Sequence, residues 1–275
     1  MPDTVSRFLV AGTNSGCGKT TLTLGLLRAF ARRGLAVAPF KCGPDYIDPL
    51  FHRQAAKRDS LNLDAFLSGS DGVRRGFARH SAGADVAVVE GVMGLFDGNA
   101  PGSDAGSSAE IAALLDLPVI LAVNARGMSG SIAPLVRGFA EWRPGVRIVG
   151  VIANNVGSPR HTELLRASLE SAGLPPLFGG VERDERWILP ERHLGLAVGT
   201  LDDSWLDALA DTLECSLDLD RLLAATSFAA VESIENEELP PVRSRLGVAW
   251  DEAFLFYYRE NFEWLRRYGD RKSVV

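Results

Sequence analysis

The chain has 275 residues, of which 46% are hydrophobic and 23% are charged, an ordinary composition for a globular protein. Its formal net charge of -6 leaves no broad basic field, so we expect a small-molecule ligand and no nucleic acid partner. The cysteines, Cys17, Cys42 and Cys215, lack the spacing of a zinc site or a disulfide framework, and no apolar stretch approaches the roughly 18 residues of a membrane span. We therefore expect a cytoplasmic protein without membrane contacts.

Short β-rich runs alternate with segments of helical spacing up to about Gly180. The predicted strands are nearly apolar, which is typical of strands buried on both faces of a parallel sheet; they lie at 7–11, 36–40, 85–90, 118–123 and 147–153. The predicted helices lie at 19–33, 107–115, 131–142 and 160–172. This alternation predicts an α/β protein with a doubly wound, mostly parallel sheet.

The regular pattern fades after about Gly180. A charged segment at 182–196 reads as a loop, and 202–213 reads as one amphipathic helix. The stretch 231–245 is acidic and contains Pro240 and Pro241, a composition that indicates a linker. We therefore expect one domain at 1–230 and the start of a second at 246–275, which is too short to bury a core of its own. A truncated gene product is one interpretation, and a C-terminal extension packed on the first domain is the alternative.

A glycine-rich segment, GTNSGCGKTT at 12–21, directly follows the first predicted strand and opens the first predicted helix. This is the context of a P-loop, in which the backbone N–H groups of Gly16, Gly18 and Lys19 would surround a β-phosphate. The Lys19 ammonium would neutralise the β/γ oxygens, and the Thr20 hydroxyl would bind Mg²⁺. The alternative is a glycine-rich turn with a chance GKT.

The loop departs from the usual P-loop pattern. Five residues rather than four separate Gly12 from Gly18, and Thr13 occupies the usual first glycine position. Asn14 stands where nucleotide-sandwich ATPases of partitioning and division systems carry a second lysine, which argues against that class. Cys17 is expected to fill space in the loop rather than act as a nucleophile. The residues predicted to contact the nucleotide are Gly12, Thr13, Asn14, Ser15, Gly16, Cys17, Gly18, Lys19, Thr20 and Thr21.

Polar residues are dense in FKCGPDYIDPLFH, residues 40–52, which we call the acceptor loop. Open α/β sheets bind ligands at the carboxyl ends of their strands, so Lys41 is expected to face the phosphates. Four further side chains crowd the same segment: Asp45, Tyr46, Asp48 and His52. The alternative is that Pro44 and Pro49 define two turns, with the aspartates as turn residues.

Two carboxylates follow the third predicted strand in VVEGVMGLFDG. Glu90 would end that strand in a buried position, where an unpaired carboxylate is costly and a bound Mg²⁺ would satisfy it. Asp97 lies in a loop flanked by Gly94 and Gly98, close enough in sequence to reach the same cleft. It is a candidate substrate-binding or catalytic carboxylate, and Asp97-Gly98 as a simple turn is the equal alternative.

Taken in order, GTNSGCGKTT, FKCGPDYIDP, NLDAFL, VEGVMGLFDG, GVIANNVGSPRH and PERHLGL resemble the cobyrinic acid a,c-diamide synthase family. The resemblance covers roughly residues 7–261. GPDYIDP together with EGVMGLFDG is the most specific part, and it separates this family from cobyric acid synthase, which has a different acceptor loop.

The resemblance implies a P-loop domain similar to dethiobiotin synthetase, followed by a class I glutaminase domain. The reaction would be the stepwise amidation of two corrin carboxylates, with ATP and Mg²⁺ forming an acyl phosphate that ammonia displaces. Lys19 and Lys41 would hold phosphates, and Asn154 would contact adenine. The metal would be bound by Thr20 and Glu90, with Asp45 or Asp48 nearby.

The corrinoid would face Tyr46, Asp48, Asp97 and His52 in this resemblance, and Asp45 is a further candidate for binding it. The residues expected to carry catalysis are Lys19, Lys41, Asp48 and Asp97. Arg192 and His193 are weaker candidates, with surface pairing as the alternative.

The sequence also departs from the family. WDEAFLFYYRENFEWL resembles the first strand and helix of the glutaminase domain, but the chain ends before its nucleophile, and Trp250 stands where a basic residue is expected. We therefore expect free ammonia or a glutaminase in trans as the nitrogen source, and a homodimer is possible. An inactive remnant, a nucleotide-dependent interaction module and a dethiobiotin synthetase-like ligase are the alternatives.

Overall fold

The computed structural model describes residues 4–189, 201–229, 247–249, 251, 254 and 256–268. The predicted linker at 231–245 lies outside these residues, as do Arg192, His193 and Trp250. The strands of the described part are β1 (Thr4–Gly12), β2 (Val37–Cys42), β3 (Leu61–Leu63), β4 (Val86–Glu90), β5 (Val119–Asn124), β6 (Ile148–Val156), β7 (Leu177–Glu182) and β8 (Ser227–Ala229). The α-helices are α1 (Lys19–Arg32), α2 (Asp48–Ala56), α3 (Ala65–Ser81), α4 (Ser108–Leu114), α5 (Ile132–Glu141), α6 (Pro159–Ser171), α7 (Asp203–Ser216), α8 (Leu219–Ala225) and α9 (Arg259–Tyr268).

The strands form one sheet in the order β3-β2-β4-β1-β5-β6-β7. Every neighbouring pair in this order is parallel, and β8 adds an antiparallel partner at the start of β1. The mostly parallel α/β sheet predicted from the sequence is confirmed. No helix of the described residues is long and apolar enough to cross a membrane.

Helices cover both faces of the sheet, so the strands are buried on both sides. In β1, Phe8 and Val10 pack against α1, α2, α7 and α8, while Leu9 and Ala11 pack against α3, α4, α5 and α6. Because successive residues of a strand point to opposite faces, a strand between two helix layers needs apolar residues at nearly every position. This explains the continuous apolar runs of the sequence.

Several elements were missed at the sequence level. No helix was predicted in the acceptor loop, where two turns were the alternative interpretation, but helix α2 begins at Asp48. Pro49 fits the first helical turn, because a backbone N–H at that position would have no partner within the helix. Helix α3 carries a kink at Gly69, where φ is 68°, and the glycine-rich sequence hides its periodicity. Strand β3 has three residues, and β7 contains two glycines, so neither gives a clear β pattern.

Candidate functional site

The parallel arrangement brings polar strand ends to one edge of the sheet. Glu90, the last residue of β4, is in register with Val10 of β1 on one side and with Lys41 of β2 on the other. Asn124 of β5 and Asn154 of β6 are in register farther along the same edge. The site predicted from the sequence therefore lies at the carboxyl ends of adjacent strands, where open α/β sheets bind ligands.

The P-loop joins β1 to α1 with two glycines in the left-handed region, Gly16 with φ 76° and Gly18 with φ 96°. Side chains other than glycine rarely adopt this backbone conformation. A Cβ atom on Gly18 would also collide with the side-chain amide of Asn154. The Lys19 Nζ donates a hydrogen bond of 3.2 Å to the Asn14 carbonyl, so the lysine lies over the loop.

Asn154 supports the P-loop from strand β6, which lies beyond β5 in the sheet. Its Nδ2 donates a 3.0 Å hydrogen bond to the carbonyl of Cys17. The Cys17 side chain is fully buried and would collide with a Cβ atom on Gly12, which agrees with its expected role as a filler of the loop. A role of Asn154 in adenine binding stays a prediction.

A cavity of about 490 Å³ lies beside the P-loop. Its walls combine P-loop and α1 residues with residues at the ends of β6 and β7 and in the segment after β7, among them Thr20, Asn154, Asn155, Glu182, Asp184 and Trp187. The last three belong to a segment that the sequence predicted to be a charged loop. Within the described residues the buried Trp187 indole Nε1 has no hydrogen-bond partner. The Asn-Asn pair at 154–155 and a tryptophan inside a charged run are the signals that could have identified this wall.

Thr20 and Glu90 provide two oxygen atoms of the kind that Mg²⁺ prefers. The Thr20 Oγ1 donates a 2.7 Å hydrogen bond to the Glu90 Oε1, which joins the start of α1 to the end of β4. Magnesium in phosphate sites keeps several waters and uses one or two protein ligands, so this pair fits such an ion. No group of three or more His, Cys, Asp and Glu side chains suited to a metal occurs in the described part of the chain.

Glu90 is also the centre of a buried polar cluster formed by Lys41, Asp48, His52 and Glu90, which we call the Glu90 cluster. The Lys41 Nζ lies 2.8 Å from the Glu90 Oε1 and 2.5 Å from the Asp48 Oδ2. The His52 Nε2 lies 2.7 Å from the Glu90 Oε2, and its Nδ1 lies 3.0 Å from the Ser60 Oγ. Each carboxylate of the cluster thus has a hydrogen-bonding partner, as buried charges require.

The cluster separates the pKa values of its two carboxyl groups. Burial raises the pKa of Glu90, but the charge of Lys41 and the hydrogen bond to His52 more than offset it and hold that pKa well below its usual range. Burial and the neighbouring charge of Glu90 raise the pKa of Asp48 to about 6, against the opposing effect of Lys41. Burial lowers the pKa of Lys41, yet Glu90 and Asp48 raise it by more, so the lysine is charged. Of the two carboxyl groups, Asp48 therefore takes up a proton at the higher pH.

Three predicted site residues occupy different places from those expected. Lys41 was expected to face phosphates, but its ammonium is buried and paired with two carboxylates. Asp48 and His52 were expected to face the substrate, and both are buried in the Glu90 cluster because α2 folds this face of the acceptor loop inward. The sequence predicted that these residues lie close together, and it missed that they bind each other.

Asp45 shapes the acceptor loop. Its Oδ1 accepts hydrogen bonds from the backbone N–H groups of Ile47 at 2.8 Å and Asp48 at 3.0 Å, so it supports the start of α2. Asp45 was predicted as a metal ligand near Thr20 and Glu90, and the turn interpretation describes this carboxylate oxygen better. From the other side, Asn62 Nδ2 donates to the carbonyls of Gly43 at 2.9 Å and Asp45 at 2.7 Å. Asn62 opens the NLDAFL motif of the family resemblance, but no site role was predicted for it.

Tyr46 and Asp97 remain exposed at this edge of the sheet. The Asp97 Oδ2 accepts a 2.7 Å hydrogen bond from the backbone N–H of Gly94, which agrees with a turn role. Such a bond does not exclude contact with a substrate, since the carboxylate is exposed. Of the residues predicted to bind the substrate, these two are exposed, Asp45 is half-buried, and Asp48 and His52 are buried.

A glycine loop between a central parallel strand and a helix, with an acidic strand end beside it, defines a P-loop nucleotide-binding α/β protein. The comparisons with known proteins agree. The chain belongs to the CobQ/CobB/MinD/ParA nucleotide-binding domain family, whose model matches residues 8–196.

The curated relatives are similar to nearly the whole chain. The cobyrinate a,c-diamide synthase of Syntrophotalea carbinolica is 48% identical over 272 residues, which covers 96% of this chain and 59% of the relative. The hydrogenobyrinate a,c-diamide synthase of Brucella ovis is 46% identical, covering 95% of this chain and 61% of the relative. The resemblance identified in the sequence is confirmed. The chain spans about three fifths of the length of these relatives.

The solved structures are more distant. Chloroplast FtsY from Physcomitrella patens matches with a TM-score of 0.46 at 14% identity, covering 74% of this chain and 65% of that chain. FtsY from Elizabethkingia anophelis matches with a TM-score of 0.47 at 11% identity, covering 74% of this chain and 65% of that chain. At this level the likeness supports no inference about function.

Proposed function

We propose that this chain carries the ATP-dependent synthetase site that activates the a and c side-chain carboxylates of cobyrinate or hydrogenobyrinate for amidation. The observation that carries the proposal is the double attachment of Glu90. One of its oxygens binds both Thr20 of the P-loop and Lys41 at the start of the acceptor loop, and the other binds His52 of α2. The nucleotide side and the acceptor side of the cleft therefore meet at one buried carboxylate.

On the nucleotide side, the backbone N–H groups at 16–19 and the Lys19 ammonium would bind the phosphates of ATP. The cavity beside the P-loop would take the base and ribose, with Asn154 and Trp187 in its wall. Thr20 and Glu90 would hold Mg²⁺, which neutralises charge on phosphate oxygens when it is bound. Phosphoryl transfer depends mainly on positioning and charge neutralisation, and these residues supply both.

On the acceptor side, a substrate carboxylate would lie near the exposed Tyr46 and Asp97. A carboxylate oxygen attacks the γ-phosphorus of ATP, the bond from that phosphorus to the bridging oxygen breaks, and ADP leaves with the electron pair. Ammonia then attacks the carbonyl carbon of the acyl phosphate, a proton is lost and phosphate leaves, so the amide forms. Lys41 would act indirectly, by fixing Glu90 and Asp48 in the wall of the cleft.

We assign this synthetase site to residues 1–230 and treat the source of ammonia as separate from it. The test is amidation of cobyrinate and hydrogenobyrinate by the purified chain with ATP, Mg²⁺ and ammonium chloride, followed by mass spectrometry of the corrinoid. Parallel reactions without ATP, and with glutamine in place of ammonium, separate the two half-reactions.

Thr20→Ala is the informative variant, because it removes the hydroxyl that binds Glu90. Thr212→Ala is the matched control, since its hydroxyl bonds only the Ala208 carbonyl on α7 in the described residues. Amidation that needs ATP, is lost in Thr20→Ala and persists in Thr212→Ala supports the proposal. Tight ATP binding without amidation of either corrinoid contradicts it and favours a nucleotide-dependent interaction module.

A further inference from the structure

Aromatic residues near the C-terminal end of the described chain pack on the acceptor loop. The ring of Tyr258 stacks on Tyr46 with 4.5 Å between centroids and 15° between planes. The ring of Phe256 lies 5.7 Å from Tyr46. Tyr46 belongs to the loop between β2 and α2, so a segment more than 200 residues away in sequence supports an exposed residue of the proposed acceptor side.

Helix α9, which follows Tyr258 directly, is attached to the first domain by charged residues. The Arg259 guanidinium donates a 2.9 Å hydrogen bond to the Asp59 carboxylate, just before β3. Farther along the helix, Glu263 lies 3.8 Å from Arg79 of α3. The partly buried pair of Arg259 and Asp59 fixes the start of the helix, and with it the position of the Tyr258 ring.

A second path connects α9 to the same loop. The Glu260 carboxylate is largely buried and lies against the backbone of Asn62 in β3. The Asn62 side chain in turn holds the carbonyls of Gly43 and Asp45. The loop is therefore supported from one side by the aromatic stack and from the other by β3, which α9 covers.

We propose that Tyr258 is a positioning residue for the acceptor loop, held in place by Arg259, so that the docked α9 segment sets the geometry in which the carboxylate acceptor binds. This inference rests on the proposed function, because it assigns the segment to the acceptor half of the same site. The stack acts on Tyr46, while the P-loop and its cavity have no part in it. The segment should therefore affect the acceptor and leave ATP binding unchanged.

The experiment compares Tyr258→Ala, Tyr258→Phe and Arg259→Ala in the full chain, with Arg266→Ala as a control at an exposed position of the same helix. Hydrogen exchange is measured on peptides covering 43–50, and KM is measured separately for the corrinoid and for ATP. Tyr258→Ala removes one aromatic pair from the loop. We therefore expect the amide exchange rate of this loop and the KM for the corrinoid to rise about tenfold each, while the KM for ATP stays unchanged. Arg259→Ala should act in the same direction. Tyr258→Phe keeps the ring stack but removes the hydroxyl that hydrogen-bonds to Tyr46, so its effect should lie between the wild type and Tyr258→Ala.

Unchanged exchange and unchanged KM in Tyr258→Ala would overturn the inference. Faster exchange in β1 and β4 as well as the loop would also overturn it, because the residue would then support the whole fold rather than the loop. If the wild type amidates neither corrinoid, the proposed function fails, but the exchange measurement still decides whether Tyr258 positions the loop.

Discussion

Replacing Lys41 with methionine tests the electrostatics of the Glu90 cluster. The side chain of Lys41 is 4% exposed, Asp48 is 3% exposed and Glu90 is fully buried, so water cannot replace the lost cation. Removing one partner of a buried ion pair leaves an uncompensated charge and typically costs about 3–5 kcal/mol of unfolding free energy. We expect Lys41→Met to lose a free energy of this order near neutral pH, although methionine fills a similar volume.

The unfolding free energy lost in Lys41→Met should depend on pH in one direction only. In the wild type the pKa of Glu90 is lower in the folded than in the unfolded chain, so its contribution to stability is present above the ordinary carboxylate pKa and is lost as pH falls. Without Lys41, the largest effect that opposes burial is lost, so the pKa of Glu90 is higher in the folded variant than in the folded wild type. The folded variant then binds more protons than the folded wild type as pH falls, so the destabilisation relative to the wild type should shrink.

Urea unfolding of both proteins at about pH 8 and about pH 5 measures the two effects. Lys57→Met is the matched control, because Lys57 pairs with Asp203 where both side chains are more than half exposed. Exposed pairs of this kind contribute about 0–1 kcal/mol. If Lys41→Met costs no more than Lys57→Met, or if its effect grows as pH falls, the reasoning about the cluster is wrong.

Two further predictions concern the P-loop and a buried histidine. Gly18→Ala should abolish ATP binding measured by calorimetry, because φ is 96° and the new methyl group would collide with Asn154, whereas Gly145→Ala, in open space, should bind normally. Burial, assisted by the charge of Arg58, lowers the pKa of His80 from 6.5 to about 4, so protonation opposes folding and stability should fall as pH drops through that range. His80→Asn should remove this contribution, which is on the order of 3 kcal/mol of unfolding free energy between about pH 7 and about pH 4, as measured by urea unfolding. If the unfolding free energy of the variant falls with pH as steeply as that of the wild type, the lowered pKa of His80 is contradicted.

Local patterns made the nucleotide side predictable from the sequence. The P-loop is continuous in the chain, and the geometry of Gly16, Gly18 and Lys19 follows from a strand, a glycine loop and a helix in direct succession. Glu90 was predictable because a carboxylate at the end of an apolar strand needs a partner. These inferences used only residues that are close together in the sequence, and such neighbours can be read from one sequence alone.

The acceptor side was less predictable because its contacts join distant elements. Lys41 and Glu90 are 49 residues apart and meet only because β2 lies beside β4 in the sheet. The positive charge of Lys41 at a strand end suggested that it would face phosphates. No neighbouring residue in the sequence showed that the carboxylates of Asp48 and Glu90 would both pair with it. The stack of Tyr46 on Tyr258 has the same origin, since no periodicity relates those positions.

The most direct test of the proposed chemistry follows oxygen atoms from the acceptor carboxylate to phosphate. Cobyrinate labelled with ¹⁸O in its side-chain carboxylates is incubated with the chain, ATP, Mg²⁺ and ammonium chloride, and the released phosphate is analysed by mass spectrometry. Activation through an acyl phosphate predicts one ¹⁸O atom in phosphate for each amide formed, and no labelled phosphate when ATP is omitted. Unlabelled phosphate released alongside amide formation would contradict the account.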